Sequence, residues 1–311
     1  MDNDAMHNDL MTNDPMANVA MQRAVDFIRR EGRILERRIL DTVVDGRPAH
    51  HVTDALLAYR NDDGGFGHGL EPDKRAPTSQ PLDTEVAWQS LDWAGLSPAD
   101  LEVPAESRAA EFVWAACDHL ASIGDGVGCL TPGALDHPHA GHWAYASPEP
   151  DLNPTAGLVG FLWQWSIDHP WRAAATSFCW SALADGPPDD AHAVIGVLRF
   201  LEHVPERERA DAVADEIRER LPRLAWLHFD AGADDYGVTP LQLVPDPAGR
   251  YGDLVPADVR AAHLDRLERT QADDGGWEID WPTIGPAAVA EWRGRRTLEN
   301  LLLLRAGGRW G

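Results

Sequence analysis

The sequence predicts an all-α protein folded as a single α/α toroid, a barrel in which inner and outer helices alternate. Three observations predict this fold. Apolar residues recur at helical spacing in one segment after another, and no segment alternates as a strand would. Helices with one charged face also take turns with helices that are apolar nearly throughout. This alternation is typical of a ring, because outer helices have one wet face and inner helices are packed on both sides.

Ten segments carry the helical pattern. In the N-terminal half they are 16–43, with a break near Gly32, then 48–59, 83–94, 104–123 and 154–167. In the C-terminal half they are 170–183, 190–202, 206–227, 256–270 and 296–304. The segments 154–167 and 190–202 are the most apolar, which places them in the inner layer. The segment 206–227 is heavily charged, which places it in the outer layer.

These helices define one domain over 16–306, between two short tails. Residues 1–15 form a near-repeat of five residues rich in Met, Asn and Asp, and a period of five matches neither helix nor strand. We therefore expect 1–15 to be a disordered tail and 307–311 to be a C-terminal tail. The start of the chain has no basic segment followed by an apolar one, so we expect a cytoplasmic protein.

The composition limits the partners. The chain has 51 acidic and 27 basic residues, a net charge of −24, and such a surface repels nucleic acid and anionic lipid. No apolar run is long enough for a membrane-spanning helix. The three cysteines form no CxxC pair, and we expect neither a metal nor a cofactor. The single lysine, Lys74, lies in a Pro-Asp-Lys-Arg segment that looks like an exposed loop. A small-molecule substrate, apolar in character, is the expected partner.

A repeat links the two ends of the chain. Segments 56–67 and 267–278 share the pattern Leu-x3-(Arg/Gln)-x-Asp-Asp-Gly-Gly-(Phe/Trp). The pattern predicts a helix that ends in a tight turn, in which the aspartates organise the backbone and the glycines supply positive φ. The aromatic residue is then expected to fold back on the end of the helix.

The second copy of this repeat resembles the QW motif of the squalene–hopene cyclases. It reads Gln271-x3-Gly275-x-Trp277, and the first copy resembles a degenerate version with Arg60 in the glutamine position. The resemblance is to a superfamily that includes terpene cyclases and prenyltransferase β-subunits. It implies an α/α toroid, an isoprenoid-like substrate and a structural motif that staples outer helices. The chain lacks the DxDD acid, the DDxxD cluster and the zinc-ligand spacing of that superfamily.

The first group of candidate catalytic residues consists of four carboxylates within fifteen residues. Crowded carboxylates raise one another's pKa, and a carboxyl group with a raised pKa can donate a proton at neutral pH. Asp83 and Glu85 are the candidate proton donors at the start of an inner helix. Helix capping and a solvated loop explain the same residues without any ligand. The group comprises Glu71, Asp73, Asp83 and Glu85.

Two other groups contain histidine. The loop 136–143 carries three histidines, which can bind a metal or move protons, or can form a polar turn beside the cavity. Asp190 and His192 open an apolar helix. They are candidates for catalysis, but Asp190 can also be a cap and His192 a buried structural residue. Half a turn separates them, so they are not expected to share a helix face.

The sequence has 13 tryptophans, which predicts an aromatic cavity. Arg296 at its entrance can hold a carboxylate or phosphate, or can pair with Glu299. We expect an enzyme that performs acid/base chemistry on an isoprenoid-like or other apolar substrate. The alternatives are a carbohydrate-active enzyme with paired carboxylates and a toroid that only binds a ligand. The candidate substrate-binding residues are Trp88, His142, Trp143, Trp163, Trp281 and Arg296.

Overall fold

The protein is all-helical in its computed structural model, which describes residues 15–101, 107–146 and 148–310. Within these ranges the extended backbone forms only isolated bridges and no strand. The predicted disordered tail lies outside the described residues except for Pro15, which opens the first helix. No helix in the described ranges has the length and apolar character needed to cross a lipid bilayer.

Thirteen α-helices occupy the described residues. The first seven are α1 (Pro15–Glu31), α2 (Ile34–Asp45), α3 (His50–Leu56), α4 (Pro81–Trp93), α5 (Pro98–Leu101), α6 (Arg108–Ile123) and α7 (Leu152–Gln164). The other six are α8 (Pro170–Ala182), α9 (Ala191–His203), α10 (Arg207–Arg220), α11 (Pro240–Leu243), α12 (Ala257–Thr270) and α13 (Pro286–Ala306).

The break predicted near Gly32 is confirmed between α1 and α2. The other predicted helices agree with the observed bounds except in three places. The helix predicted to continue to 227 ends at Arg220, where a short 3-10 turn containing Pro222 follows. Helix α13 begins at Pro286, ten residues before the predicted start. The helix predicted from 104 is described only from Arg108, and 104–106 lie outside the described residues.

Two series of helix contacts organise the fold. In one series α2 contacts α4, α4 contacts α7, α7 contacts α9, α9 contacts α11, and α13 returns to α2. The second series covers the first: α3 packs on α2 and α4, α8 on α7, α10 on α9, α12 on α11 and α13, and α1 on α13 and α2. Helices α7 and α9 approach closely because Gly157 and Gly196 face each other without side chains.

The helices of the first series carry much of the buried aromatic core. Trp88 of α4 packs edge-on against Phe161 of α7 and against Trp165, which directly follows α7, with ring centroids 6.4 and 6.1 Å apart. All three residues are buried. They join α4 to α7, and this contact holds the first residues of both helices at the same end of the molecule.

The repeated turns have the same backbone. In the first, the Asn61 amide donates to the Gly65 carbonyl at 2.9 Å; in the second, the Ala272 amide donates to the Gly276 carbonyl, also at 2.9 Å. An aspartate accepts the amide two residues ahead in both turns at 3.0 Å. The predicted equivalence of the two segments therefore extends to their hydrogen bonds.

Each turn also packs against the next covering helix. Gly64 lies on the backbone of α6, Gly275 lies on the backbone of α1, and both have positive φ. Gln271 Nε2 donates to the Ala20 carbonyl of α1 at 2.9 Å. In the corresponding position, Arg60 lies over the Phe112 ring of α6 at 4.7 Å. The second turn thus joins the C-terminal part of the chain to α1.

The predicted C-terminal tail, 307–311, is described over 307–310, and its last two described residues pack on the domain. Trp310 is buried and lies 6.2 Å from the Trp277 ring. Arg309 pairs with Asp265 at 2.5 Å and with Glu268 at 3.3 Å on α12. The Trp310 ring and the paired Arg309 guanidinium hold this segment against the domain, because burial of the indole stabilises the packed form.

Candidate active site

The first residues of α4, α7 and α9 lie close together. The Leu82 amide of α4 donates to the Cys129 carbonyl at 3.4 Å, and Cys129 Sγ donates to the Asn153 carbonyl at 3.3 Å. Burial raises the pKa of the Cys129 thiol, and the negative charge of Asp190, at the start of α9, contributes to this rise. We call the side chains gathered around this end of the helices the mouth cluster. Its members are Glu71, Asp73, Lys74, Asp83, His142, Trp143, Asp190, His192, Tyr236, Trp281, Thr283 and Arg296.

The single lysine lies at the base of the mouth cluster, so its prediction as part of an exposed loop is wrong. Lys74 is 1% exposed. Its Nζ lies 3.0 Å from Asp83 Oδ2 and 3.3 Å from Glu71 Oε2, and 5.3 Å from the centre of the Trp143 ring. The other oxygen of Asp83 accepts the Glu71 amide at 2.7 Å. The loop before α4 folds inward because these two carboxylates offset the cost of burying the ammonium group.

Burial acts on these carboxylates more strongly than the lysine does. It raises the pKa of Glu71 to about 7, an effect that Lys74 partly offsets and Asp73 and Asp83 reinforce. Burial likewise raises the pKa of Asp83, against the opposing effect of Lys74. Three of the four predicted carboxylates thus lie together, as the sequence predicted, but with a cation among them.

Asp73 is held from the opposite end of the chain. Its Oδ2 accepts a hydrogen bond from Trp281 Nε1 at 3.0 Å, and its Oδ1 accepts one from the Thr283 hydroxyl. His142 Nε2 lies 3.7 Å from the same carboxylate. Asp73 is buried, whereas the His142 side chain is half exposed. The Asp73 carboxylate is therefore fixed in orientation, with the His142 imidazole beside it.

A hydrogen-bonded chain joins Asp190, His192 and Tyr236. Asp190 caps α9 by accepting the His192 amide at 2.9 Å, and His192 Nδ1 lies 3.2 Å from Asp190 Oδ1. His192 Nε2 lies 2.7 Å from the Tyr236 hydroxyl. Since a carboxylate only accepts, Nδ1 donates to Asp190, and Nε2 of the neutral ring accepts from Tyr236. We call this arrangement the Asp190–His192–Tyr236 relay.

Asp190 and His192 are in contact although they were not expected to share a helix face. Asp190 stands before the first turn of α9 in extended backbone, so its side chain folds back over the helix end and reaches the imidazole. Burial works to raise the pKa of Asp190, but the hydrogen bonds from His192 and from the helix amides outweigh it and lower the pKa. Burial and the nearby Asp280 raise the pKa of Tyr236 to about 12.

Aromatic rings connect the relay to Asp73. The Tyr236 ring lies 5.6 Å from the Trp281 ring, edge to face, and Trp281 lies 5.0 Å from Trp292. The Arg296 guanidinium lies 5.9 Å from the Trp281 ring and 3.8 Å from Glu299, which is the pairing named as the alternative to ligand binding. The rings form a surface with a carboxylate and an imidazole on each side.

Glu85 faces away from Asp83, toward Gly157 of α7, and it feels the charges of Arg199 on α9 and Arg295 on α13. Its Oε1 points at Gly157 of α7, where any side chain would collide with it. Burial raises the pKa of Glu85 to about 7, with Arg199 and Arg295 as opposing charges. Arg295 lies over the Trp93 ring at 4.7 Å and bonds Gln89. Charged and polar side chains therefore surround Glu85.

Two predicted substrate-binding tryptophans lie outside the mouth cluster. Trp88 is wholly buried between α4 and α7. Trp163 turns toward α8, where its Nε1 donates to Thr176 at 2.9 Å and its ring stacks under Arg172 at 4.2 Å. Both fill helix–helix interfaces, because these ring positions face neighbouring helices.

The histidine loop forms a turn at the edge of the mouth cluster. His139 Nδ1 bonds the His137 carbonyl at 2.8 Å, and His142 alone approaches a carboxylate of the cluster. Among the residues described, no three His, Cys, Asp or Glu side chains converge as metal ligands would. Lys74, Tyr236 and Thr283 are the members that the sequence interpretation missed. A weak echo of the repeat, Asp234-Asp235-Tyr236-Gly237, was the only signal near Tyr236.

Comparison with known proteins gives one structural neighbour. No family model and no curated protein matches the chain. A crystal structure of a protein from Actinoplanes has 18% sequence identity and a TM-score of 0.54, and the alignment covers 94% of this chain and 99% of that one. At this identity the likeness shows a shared fold along nearly the whole chain.

Proposed function

We propose that the helices close into a single α/α toroid. The helices α2, α4, α7, α9, α11 and α13 would form the inner ring. The first five follow one another in contact, Gln242 of α11 donates to Glu299 of α13 at 3.2 Å, and α13 returns to α2. The turn after α12 packs on α1 as the turn after α3 packs on α6, which supports closure of the outer ring. The mouth cluster then lies at the N-terminal ends of the inner helices, where helix dipoles favour anionic groups.

We further propose that the protein is an enzyme that cleaves a carbohydrate by acid/base chemistry at the mouth cluster. The observation that carries this proposal is the Asp190–His192–Tyr236 relay across the Trp281 ring from Asp73. Such a site has two carboxylates with imidazole partners, which suits proton transfer to and from hydroxyl and glycosidic oxygens. Indole and phenol rings pack well against the apolar face of a sugar ring.

The charged surroundings of Glu85 favour a carbohydrate over an isoprenoid substrate. A terpenoid needs an apolar, aromatic lining, whereas Glu85, Arg199 and Arg295 border the interior beside α4. The buried Trp88 cluster belongs to the core between helices. Chemistry on an isoprenoid-like substrate stays a prediction of the sequence resemblance.

The proposal assigns a role to each arm of the mouth cluster. Asp190 orients His192. When a substrate hydroxyl gives its proton to the Tyr236 oxygen, Tyr236 passes its own proton to His192 Nε2 in the same step, so no free phenolate forms despite the raised pKa of Tyr236. Asp73 lies on the other side of the Trp281 ring as the second carboxylate. His142 supplies a proton there in its protonated form, which the Asp73 charge favours although burial lowers the pKa of His142.

A panel assay tests the proposal. We expect the protein to release reducing ends from at least one member of a panel of plant, fungal and bacterial oligosaccharides. Replacing Asp190→Asn or Asp73→Asn removes one carboxylate and keeps the side-chain size. We expect each variant to lose about 100-fold or more in kcat/KM on that substrate. Reducing-end release by a colorimetric assay measures the effect.

The control is Asp118→Asn. Asp118 of α6 pairs with His169 at 3.1 Å, so it belongs to another Asp–His pair of similar length, and neither residue is a member of the mouth cluster. We expect its activity to equal that of the unmodified protein. Absence of cleavage across the panel, or equal losses in Asp118→Asn and Asp190→Asn, would overturn the proposed function.

A further inference from the structure

A cavity that is partly open to solvent, with a lining of polar and apolar atoms in similar amounts, lies beside the mouth cluster, between α12, α13 and the loop 228–239. Its volume is about 170 Å³. His263 and Arg266 of α12, Asn300 of α13, and His228 and Thr239 of the loop border it. Arg296 borders it as well and separates it from the Trp281 ring. We call it the α12/α13 cavity. Neither carboxylate arm of the mouth cluster borders it.

Two buried side chains at this cavity have polar atoms without a hydrogen-bond partner. His263 is 1% exposed and Asn300 is 2% exposed. His263 Nδ1 and Asn300 Nδ2 are both buried and unpartnered. An unsatisfied buried donor or acceptor costs about 1–3 kcal/mol, so two at one small cavity indicate a place where a ligand completes the hydrogen bonds.

The hydrogen bonds define what the ligand must offer. His263 Nε2 lies 3.2 Å from the Phe229 carbonyl, which only accepts, so Nε2 carries the proton and Nδ1 presents a lone pair. Burial lowers the pKa of His263, which keeps the imidazole neutral. Asn300 Nδ2 is a donor. The ligand must therefore donate to one of these atoms and accept from the other, which a hydroxyl-bearing molecule does.

Charge and size narrow the ligand further. Arg266 already donates to the carbonyls of Ala231 and Ala233, so its charge is held by the loop. Asp234 and Glu278 also border the cavity, and they disfavour an anion. An apolar cavity of about 150 Å³ holds one benzene molecule, so this volume suits one small ring or a short chain.

We propose that the α12/α13 cavity binds a small uncharged polyol through His263 and Asn300. This goes beyond the proposed function, because binding here requires no catalysis at the mouth cluster. The cavity would be a second ligand site on the same protein. Its occupant would satisfy the two buried polar atoms and exclude water from the space between α12 and α13.

Titration with glycerol and with myo-inositol tests the proposal. The side-chain amide signal of Asn300 in a ¹H–¹⁵N NMR spectrum is the readout. We expect saturable shifts of this signal with at least one of the two, with a dissociation constant on the order of 1 mM. Asn300→Leu removes the donor, and we expect binding, followed by calorimetry, to weaken about tenfold or more.

A second variant keeps both polar atoms and fills the space. Leu267 borders the cavity, and Leu267→Phe adds bulk there. We expect it to abolish the shift of the Asn300 signal. Leu302→Phe is the matched control, since Leu302 is a half-buried leucine of α13 that does not border the cavity. We expect this control to bind as the unmodified protein does.

The outcomes separate this inference from the proposed function. Failure of both polyols to shift the Asn300 signal, equal binding of benzene, or unchanged affinity in Leu267→Phe would overturn the cavity proposal. A crystal soaked in glycerol that shows only ordered water there would also overturn it. Oligosaccharide cleavage is measured separately with the mouth variants, so either proposal can fail while the other stands.

Discussion

The mouth cluster contains two groups of polar side chains, each of which includes an aspartate at the beginning of a helix. Asp83 lies in the first turn of α4 and Asp190 caps α9. Asp83 is sealed beneath the loop with Lys74, and both are 1% exposed. Asp190 and His192 keep about 45% and 34% of their side chains exposed. Their surroundings, more than their residue types, separate the two groups.

This difference assigns different roles to the two groups. A buried ion pair is costly to break, because removing one partner leaves an uncompensated charge in a medium of low polarity. A half-exposed imidazole can exchange protons with a substrate and with water. We therefore interpret the group of Glu71, Lys74 and Asp83 as the support of the mouth and the Asp190–His192–Tyr236 relay as its reactive part.

The largest expected effect is on stability, from Lys74→Met. This change leaves Glu71 and Asp83 buried without their cation, and we expect the free energy of unfolding to fall by about 3–5 kcal/mol. Urea denaturation followed by circular dichroism measures the loss. Arg75→Met is the control, since Arg75 pairs with Glu291 at 2.8 Å near the surface and should cost about 1 kcal/mol or less. Similar losses in the two variants would contradict the supporting role.

The next effect is on activity, from Tyr236→Phe, which removes the last hydroxyl of the relay. We expect kcat to fall by about 10- to 100-fold on the substrate that the panel assay identifies, with little change in stability. Tyr251→Phe is the control, because the Tyr251 hydroxyl bonds Asp211 at 3.1 Å, away from the mouth. A full-activity Tyr236→Phe protein would remove Tyr236 from the proposed proton path.

The smallest expected effect is on the pH dependence of stability and concerns Glu85. Glu85 lies on α4 like Asp83 but has no lysine beside it. Its pKa of about 7 lies above the ordinary value of 4.5, so folding favours the protonated form. Stability from this group is present below pH 4.5 and is lost as the pH rises toward 7. We expect Glu85→Gln to remove about 2 kcal/mol of this pH-dependent loss. Parallel stability curves for both proteins between pH 5 and 8 would contradict the prediction.

Much of the fold follows from local sequence. The spacing of apolar residues located most helices, and Gly32 marked the break between α1 and α2. The Asp-Asp-Gly-Gly-aromatic pattern predicted two equivalent turns, since their hydrogen bonds lie within six residues. The same local chemistry placed acidic residues at the starts of α4 and α9. These features depend on residues that are neighbours in the chain, so the amino-acid sequence alone determined them.

The site depended on contacts between distant parts of the chain. Asp73 accepts from Trp281, 208 residues away, and His192 meets Tyr236, 44 residues away. Burial of Lys74 required the loop before α4 to fold under Trp143. Periodicity gave no direction for Trp163 on an apolar helix, because every face of such a helix is buried. Tertiary packing alone decided which polar side chains share one low-polarity space, and the energies of charges and protons depend on that space.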